Sequence, residues 1–172
     1  MKNKIFLVGF MGTGKSSVGR RLAKRLKMDF FDTDVELKKV TGLDLVELYR
    51  KYGPIRYHSE EGLILEKVLR RSHAVIATGG TLEYSTDRLR NMQREGMIVC
   101  LRADPDKIYE RVAGKDTRPL LRKKFLKEDL EALYEPHFCW EAGCDLLIDT
   151  TEKEFSDTIG LIEAKWMETK NG

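Results

Sequence analysis

The apolar run Ile5-Phe6-Leu7-Val8 ends at Gly9, and a glycine-rich turn follows that opens a helical pattern. The turn reads Gly9-Phe10-Met11-Gly12-Thr13-Gly14-Lys15-Ser16, so glycines stand at its first and sixth positions and Lys-Ser closes it. This spacing, set between a strand and a helix, is that of a phosphate-binding P-loop. Glycines let the backbone wrap with its N–H groups pointing inward. The helix start adds partial positive charge. Lys15 is placed to set an ammonium on the β- and γ-phosphates of ATP, and Ser16 offers a hydroxyl to Mg²⁺. Gly12, Thr13, Gly14 and Ser17 complete the expected cofactor contacts. A glycine-rich turn with an unrelated lysine is the bland alternative, and the position between strand and helix argues against it.

Short apolar runs at 29–31, 73–77, 97–101 and 145–148 alternate with helical patterns at 15–27, 34–40, 45–52, 55–70, 86–93, 104–112, 126–139 and 155–167. Near-continuous apolar strands alternating with helices predict an α/β domain whose parallel sheet is covered on both faces. Gly53-Pro54 is expected to interrupt the helical region. A chain of 172 residues suits one such domain. The net charge of +3 is not gathered into one basic stripe, so charge alone does not imply nucleic acid. Cys100, Cys139 and Cys144 form no CxxC, and no histidine lies at metal-ligand spacing, so neither a zinc site nor a disulfide framework is expected. No membrane-length apolar run and no signal-peptide pattern occur, which makes the cytoplasm the expected compartment.

Asp32-Thr33-Asp34 directly follows the second strand. Strand C-termini line the ligand crevice of an open parallel sheet. One carboxylate there suits Mg²⁺, and the other suits the proton of an attacking hydroxyl. A plain helix N-cap at Asp34 is the competing role. Thr78-Gly79-Gly80-Thr81 follows the third strand and reads either as a ligand approach or as an ordinary turn. Arg111, Lys115, Arg118, Arg122, Lys123 and Lys124 fall within fourteen residues. Such a run is either a solvated loop or a lid that excludes water and brings an arginine to the transferring phosphoryl group. Pro119 stiffens the backbone beside Arg118.

GFMGTGKSSVGRRLAKRL at 9–26, DTD at 32–34, Gly53, Glu60-Glu61, Gly79-Gly80 and TRPLL at 117–121 together resemble the shikimate kinase family of P-loop small-molecule kinases, at matching spacing over nearly the whole chain. The resemblance implies a P-loop NTPase fold with a five-stranded parallel sheet of order 2-3-1-4-5. It further implies one domain over 1–172, with a helical substrate-binding region near 33–62 and a lid at 114–124. The implied reaction is MgATP-dependent phosphorylation of a ring hydroxyl of shikimate; a monomer with no nucleic-acid or membrane partner is expected. Lys15 and Ser16 match the phosphate and Mg²⁺ positions, and Asp32 matches the metal-shell carboxylate. Asp34 matches the residue that binds substrate hydroxyls and acts as base. Gly79 and Gly80 match two of three substrate-loop glycines, the third being Thr81 here. Arg118 matches the lid arginine, and Arg111 the residue that packs on adenine.

Two positions depart from the family pattern. The arginine that pairs with the shikimate carboxylate after Gly53 is replaced within Tyr57-His58, and a second carboxylate arginine is replaced at Tyr134. Neither His nor Tyr copies the planar fork of Arg. Each charge-assisted bond is worth roughly 1.5–3 kcal/mol, so two uncompensated losses weaken binding by roughly two to four orders of magnitude. His58 and Glu61 lie at i,i+3, where pairing favours an imidazolium and gives, with Tyr134, a weaker carboxylate site. A kinase for another hydroxylated metabolite and a non-catalytic nucleotide-binding module are the competing readings. Intact Lys15, Asp34 and Arg118 argue against the second of these.

Overall fold

The computed structural model describes residues 2–80, 82, 84–112 and 138–171. The element order is β1 (Lys4–Val8), α1 (Lys15–Leu26), β2 (Asp29–Asp32), α2 (Thr33–Thr41), α3 (Leu45–Leu69), β3 (Ala74–Ala77), α4 (Thr86–Glu95), β4 (Gly96–Arg102), α5 (Pro105–Val112), α6 (Phe138–Gly143), β5 (Leu146–Asp149) and α7 (Phe155–Asn171). The strands form one sheet of order β2-β3-β1-β4-β5, and every ladder is parallel. The expected order is therefore met. Sequence positions 114–124, Arg118, Thr81, Tyr134 and most of the helix expected at 126–139 lie outside the described residues.

The sheet buries both faces, which is why its strands read as continuous apolar runs. Successive side chains of a strand point to opposite faces. Ile5 and Leu7 join Val18 and Leu22 of α1 and Ile162 and Trp166 of α7. Phe6 and Val8 join Leu65 and Val68 of α3, Met92 of α4 and Trp140 of α6. A smaller cluster of Leu37, Leu48, Tyr57 and Ile64 holds α2 against α3. Within α3, Gly53 takes φ 76° and ψ 179°, and Pro54 follows it. The expected interruption is present, and it divides the helix before the segment that carries His58 and Glu61.

Central β1 thus delivers Gly9 to the C-terminal edge of the sheet, flanked by the ends of β3 and β4. The ends of β1, β2 and β3 meet there, which positions the site.

Candidate active site

α1 begins without an acidic residue in its first turn and without a side-chain cap; Gly14 stands at its N-cap in the left-handed region, φ 101°. α2 and α3, by contrast, are capped by Asp32 and by an Asp44–Glu47 capping box. The open start of α1 is what an anion requires. The Lys15 ammonium lies beneath the loop, 2.7 Å from both Gly9 O and Phe10 O, and the residue is only 7% exposed. Thr13 closes the turn by donating its hydroxyl to Phe10 O at 2.8 Å. Gly12, Gly14, Ser16 and Ser17 line a cleft of about 400 Å³ together with Lys15, Asp34 and Gly80.

The two aspartates divide their roles differently from a simple reading of the helical pattern. Asp32, not Asp34, is the N-cap of α2: its Oδ1 accepts from Asp34 N at 3.0 Å. Its other oxygen, Oδ2, accepts from Ser16 Oγ at 2.6 Å. A hydroxyl and a carboxylate oxygen side by side fit Mg²⁺, which takes few protein oxygens and keeps several waters. Asp34, released from capping, lines the cleft.

Gly79 brings three segments together. A Cβ built on it would lie 2.7 Å from Asp34 Oδ1 and 2.6 Å from Glu61 Oε1. Its N–H donates to Thr33 Oγ1 at 2.8 Å. Only a residue without a side chain lets the two carboxylates approach this turn. Gly80 has a different reason: its Cβ would lie 2.7 Å from Met11 N, so it packs on the P-loop backbone. Glu61 is 3% exposed, and its Oε1 has no hydrogen-bond partner among the described residues. Its Oε2 lies 3.5 Å from His58 Nδ1, so the i,i+3 pairing expected from the sequence is present. A buried carboxylate oxygen left unpaired is costly unless a ligand or water completes it. Tyr57 belongs to the cluster between α2 and α3, with its ring edge-on to His58 at 5.1 Å between centroids. It therefore supports His58 from behind.

Arg111 lines the cleft, but its guanidinium donates to Gly12 O at 3.1 Å and Thr150 O at 2.7 Å. It fastens the P-loop to the loop between β5 and α7. Sequence reasoning missed Phe155. Its ring lines the cleft and is 3.7 Å from a Cβ built on Gly14. The residue is 42% exposed, and the Arg21 guanidinium lies 4.4 Å from the ring centroid. The usable signal was its position just past the last strand, on the crevice edge of the sheet.

A family model for shikimate kinase matches residues 11–160. A shikimate kinase of Pelotomaculum thermopropionicum is 46% identical over 133 residues, covering 77% of each chain. That of Thermodesulfovibrio yellowstonii is 36% identical over 162 residues, covering 92% of this chain and 93% of that protein. Among solved structures, the shikimate kinase from Acinetobacter baumannii in complex with shikimate superposes with a TM-score of 0.91 at 26% identity, over 99% of this chain and 96% of that one. With the open head of α1, the Ser16–Asp32 pair and the carboxylates at Gly79 already in place, the agreement over the whole length has one meaning: this chain belongs to the shikimate kinase family.

Proposed function

We propose that the chain transfers the γ-phosphoryl group of ATP to a ring hydroxyl of shikimate, giving shikimate 3-phosphate, with Asp34 as the base. The observation that carries this reading is the convergence of the Asp34 and Glu61 carboxylates at Gly79, on the wall of the cleft whose other side is the P-loop. Lys15 exchanges the carbonyls of Gly9 and Phe10 for phosphate oxygens, and the open amides of α1 hold the rest of the polyphosphate. Ser16 and Asp32 would hold Mg²⁺, which would supply charge neutralisation for the phosphoryl group. Asp34 accepts a hydrogen bond from the acceptor hydroxyl and takes its proton as the O–P bond forms. Phe155 offers an apolar face to the nucleobase, and Arg111 steadies the loop beneath it.

His58, held by Glu61, takes the acceptor's carboxylate as an imidazolium, with Tyr134 as its partner. Gly80 lines the acceptor's side of the cleft, and Arg118 bridges phosphate and acceptor when the lid closes. The last two roles and that of Tyr134 rest on the family resemblance. A monomeric cytoplasmic enzyme acting on free small molecules, without nucleic acid, is part of the same proposal. The test is Asp34→Asn. Turnover of shikimate is expected to fall roughly a hundred- to ten-thousandfold, while MgADP binding by calorimetry stays at the wild-type value. Unchanged turnover removes Asp34 as the base.

A further inference from the structure

Beside the phosphate cradle the cleft is lined from α5, the loop after β5 and the start of α7, by Arg111, Thr150, Lys153, Glu154, Phe155 and Thr158. The fixed donors of this wall are spent inside the protein. Arg111 donates through both terminal nitrogens to Gly12 O, Thr150 O and Thr151 O, at 3.1, 2.7 and 3.2 Å. Thr150 donates its hydroxyl to Thr13 O at 2.9 Å and its N–H to Arg102 O at 2.8 Å. Thr151 N donates to Asp149 Oδ1 at 2.9 Å, and Thr158 Oγ1 to Glu154 O at 3.2 Å. A site rejects the wrong base strongly when that base leaves one of its buried polar groups unpaired. These groups are paired before any nucleotide arrives.

The wall offers a base an aromatic ring instead. Phe155 lies 3.7 Å from a Cβ built on Gly14, beside the head of α1. Arg21 backs it, with the guanidinium 4.4 Å from the ring centroid, and Arg21 Nη1 is itself held by Ser17 O at 3.3 Å. Stacking on such a ring tolerates any base, because every base has a π-face. Lys153 and Glu154 complete the lining, and both are exposed. One is a donor and the other an acceptor, each on a rotatable stem. Adenine carries an amino donor and a ring-nitrogen acceptor; guanine carries an amino donor and oxygen and nitrogen acceptors. The exposed pair can meet either purine, and water replaces whichever bond is not made.

We propose, on the assignment of this cleft as the nucleotide site, that it holds purine nucleotides whichever purine they carry, so that GTP serves beside ATP as phosphoryl donor. With GTP, the bond from the γ-phosphorus to the β–γ bridging oxygen breaks, and that oxygen keeps the electron pair as part of GDP. The bond from the acceptor's hydroxyl oxygen to the γ-phosphorus forms, and the hydroxyl proton passes to Asp34. The reacting atoms are those of the ATP reaction, since Lys15 and the P-loop address the polyphosphate that both nucleotides share. A pyrimidine has one ring to lay on Phe155 where a purine has two, so uridine nucleotides are held less well.

The experiment titrates the full chain with MgADP, MgGDP and MgUDP by calorimetry, without acceptor. MgGDP is expected to bind within about tenfold of MgADP, and MgUDP about fivefold more weakly than either. Phe155→Ala should weaken the two purine nucleotides by the same factor. ADP and GDP release from the matching triphosphates is then followed with and without shikimate, and kcat/KM for the two donors is expected to agree within about tenfold. MgADP bound and MgGDP held more than about tenfold more weakly overturns this proposal alone. MgUDP bound as well as the purines removes the stacking on which it stands, and shikimate-dependent turnover of ATP but not of GTP removes GTP as donor. Binding of neither purine nucleotide overturns it together with the assignment of the cleft. The wild-type titrations decide between these outcomes without any variant.

Discussion

Phe155 presents an aromatic face at the mouth of the cleft, with a guanidinium behind it and no polar group of its own to read a base. Base–aromatic stacking is worth roughly 1–3 kcal/mol, or about tenfold or more in affinity. Phe155→Ala is expected to weaken MgADP binding about tenfold, read by calorimetry, with the circular dichroism spectrum unchanged because the ring is half in solvent. Equal affinity in the variant would remove the stacking role. His58 offers the opposite opportunity, a gain. An arginine at that position adds a planar donor pair facing Glu61 and the acceptor. His58→Arg should lower KM for shikimate about tenfold, and His58→Ala should raise it, both at constant MgADP affinity. Steady-state kinetics on the three proteins check this; a KM indifferent to both changes moves the carboxylate elsewhere.

At the level of elements, the sheet's first strand is anchored by a buried charge. Lys4 is 3% exposed, and its ammonium lies 2.8 Å from Glu95 at the end of α4 and 3.1 Å from Asn3 Oδ1. The Lys4 hydrogen bond, and then its charge, hold the Glu95 carboxyl below its ordinary value. A depressed folded-state pKa means stability present above the ordinary carboxylate range and lost as pH falls through it. Glu95 is half exposed, so Glu95→Gln should cost only about 1 kcal/mol at pH 7. That deficit should shrink as the pH is lowered from 7 toward 3, as the wild type too takes up its proton. Urea melts at the two pH values decide it, and a deficit of constant size contradicts the pairing. Elements also show where sequence reasoning stops. The start of α2 was legible, yet both Asp32 and Asp34 suit its cap. β2 runs through Asp32, so the cap falls there and not on Asp34, which lines the cleft instead. Helical spacing made the His58–Glu61 pair visible. The meeting of Glu61 with Asp34 was not, because it depends on a turn from a third strand passing between them.

Across the whole molecule, the alternation of strand and helix established a parallel sheet, while its order came through the family resemblance and not from periodicity. Strand order depends on which helices cross which face, and local patterns do not carry that. The P-loop was legible because its chemistry is confined to eight consecutive residues, Gly9 to Ser16. Phe155 was not, since exposure toward a cleft is a tertiary property. The account as a whole claims that one cleft joins a phosphate cradle to a carboxylate-lined acceptor wall. Its most direct test is ADP release by the purified chain with MgATP, with and without shikimate, the acceptor product followed by phosphorus NMR. The account predicts release that depends on shikimate and matches one phosphate ester formed per ADP. Release no faster with shikimate than without it, in a protein that binds MgADP, would contradict it.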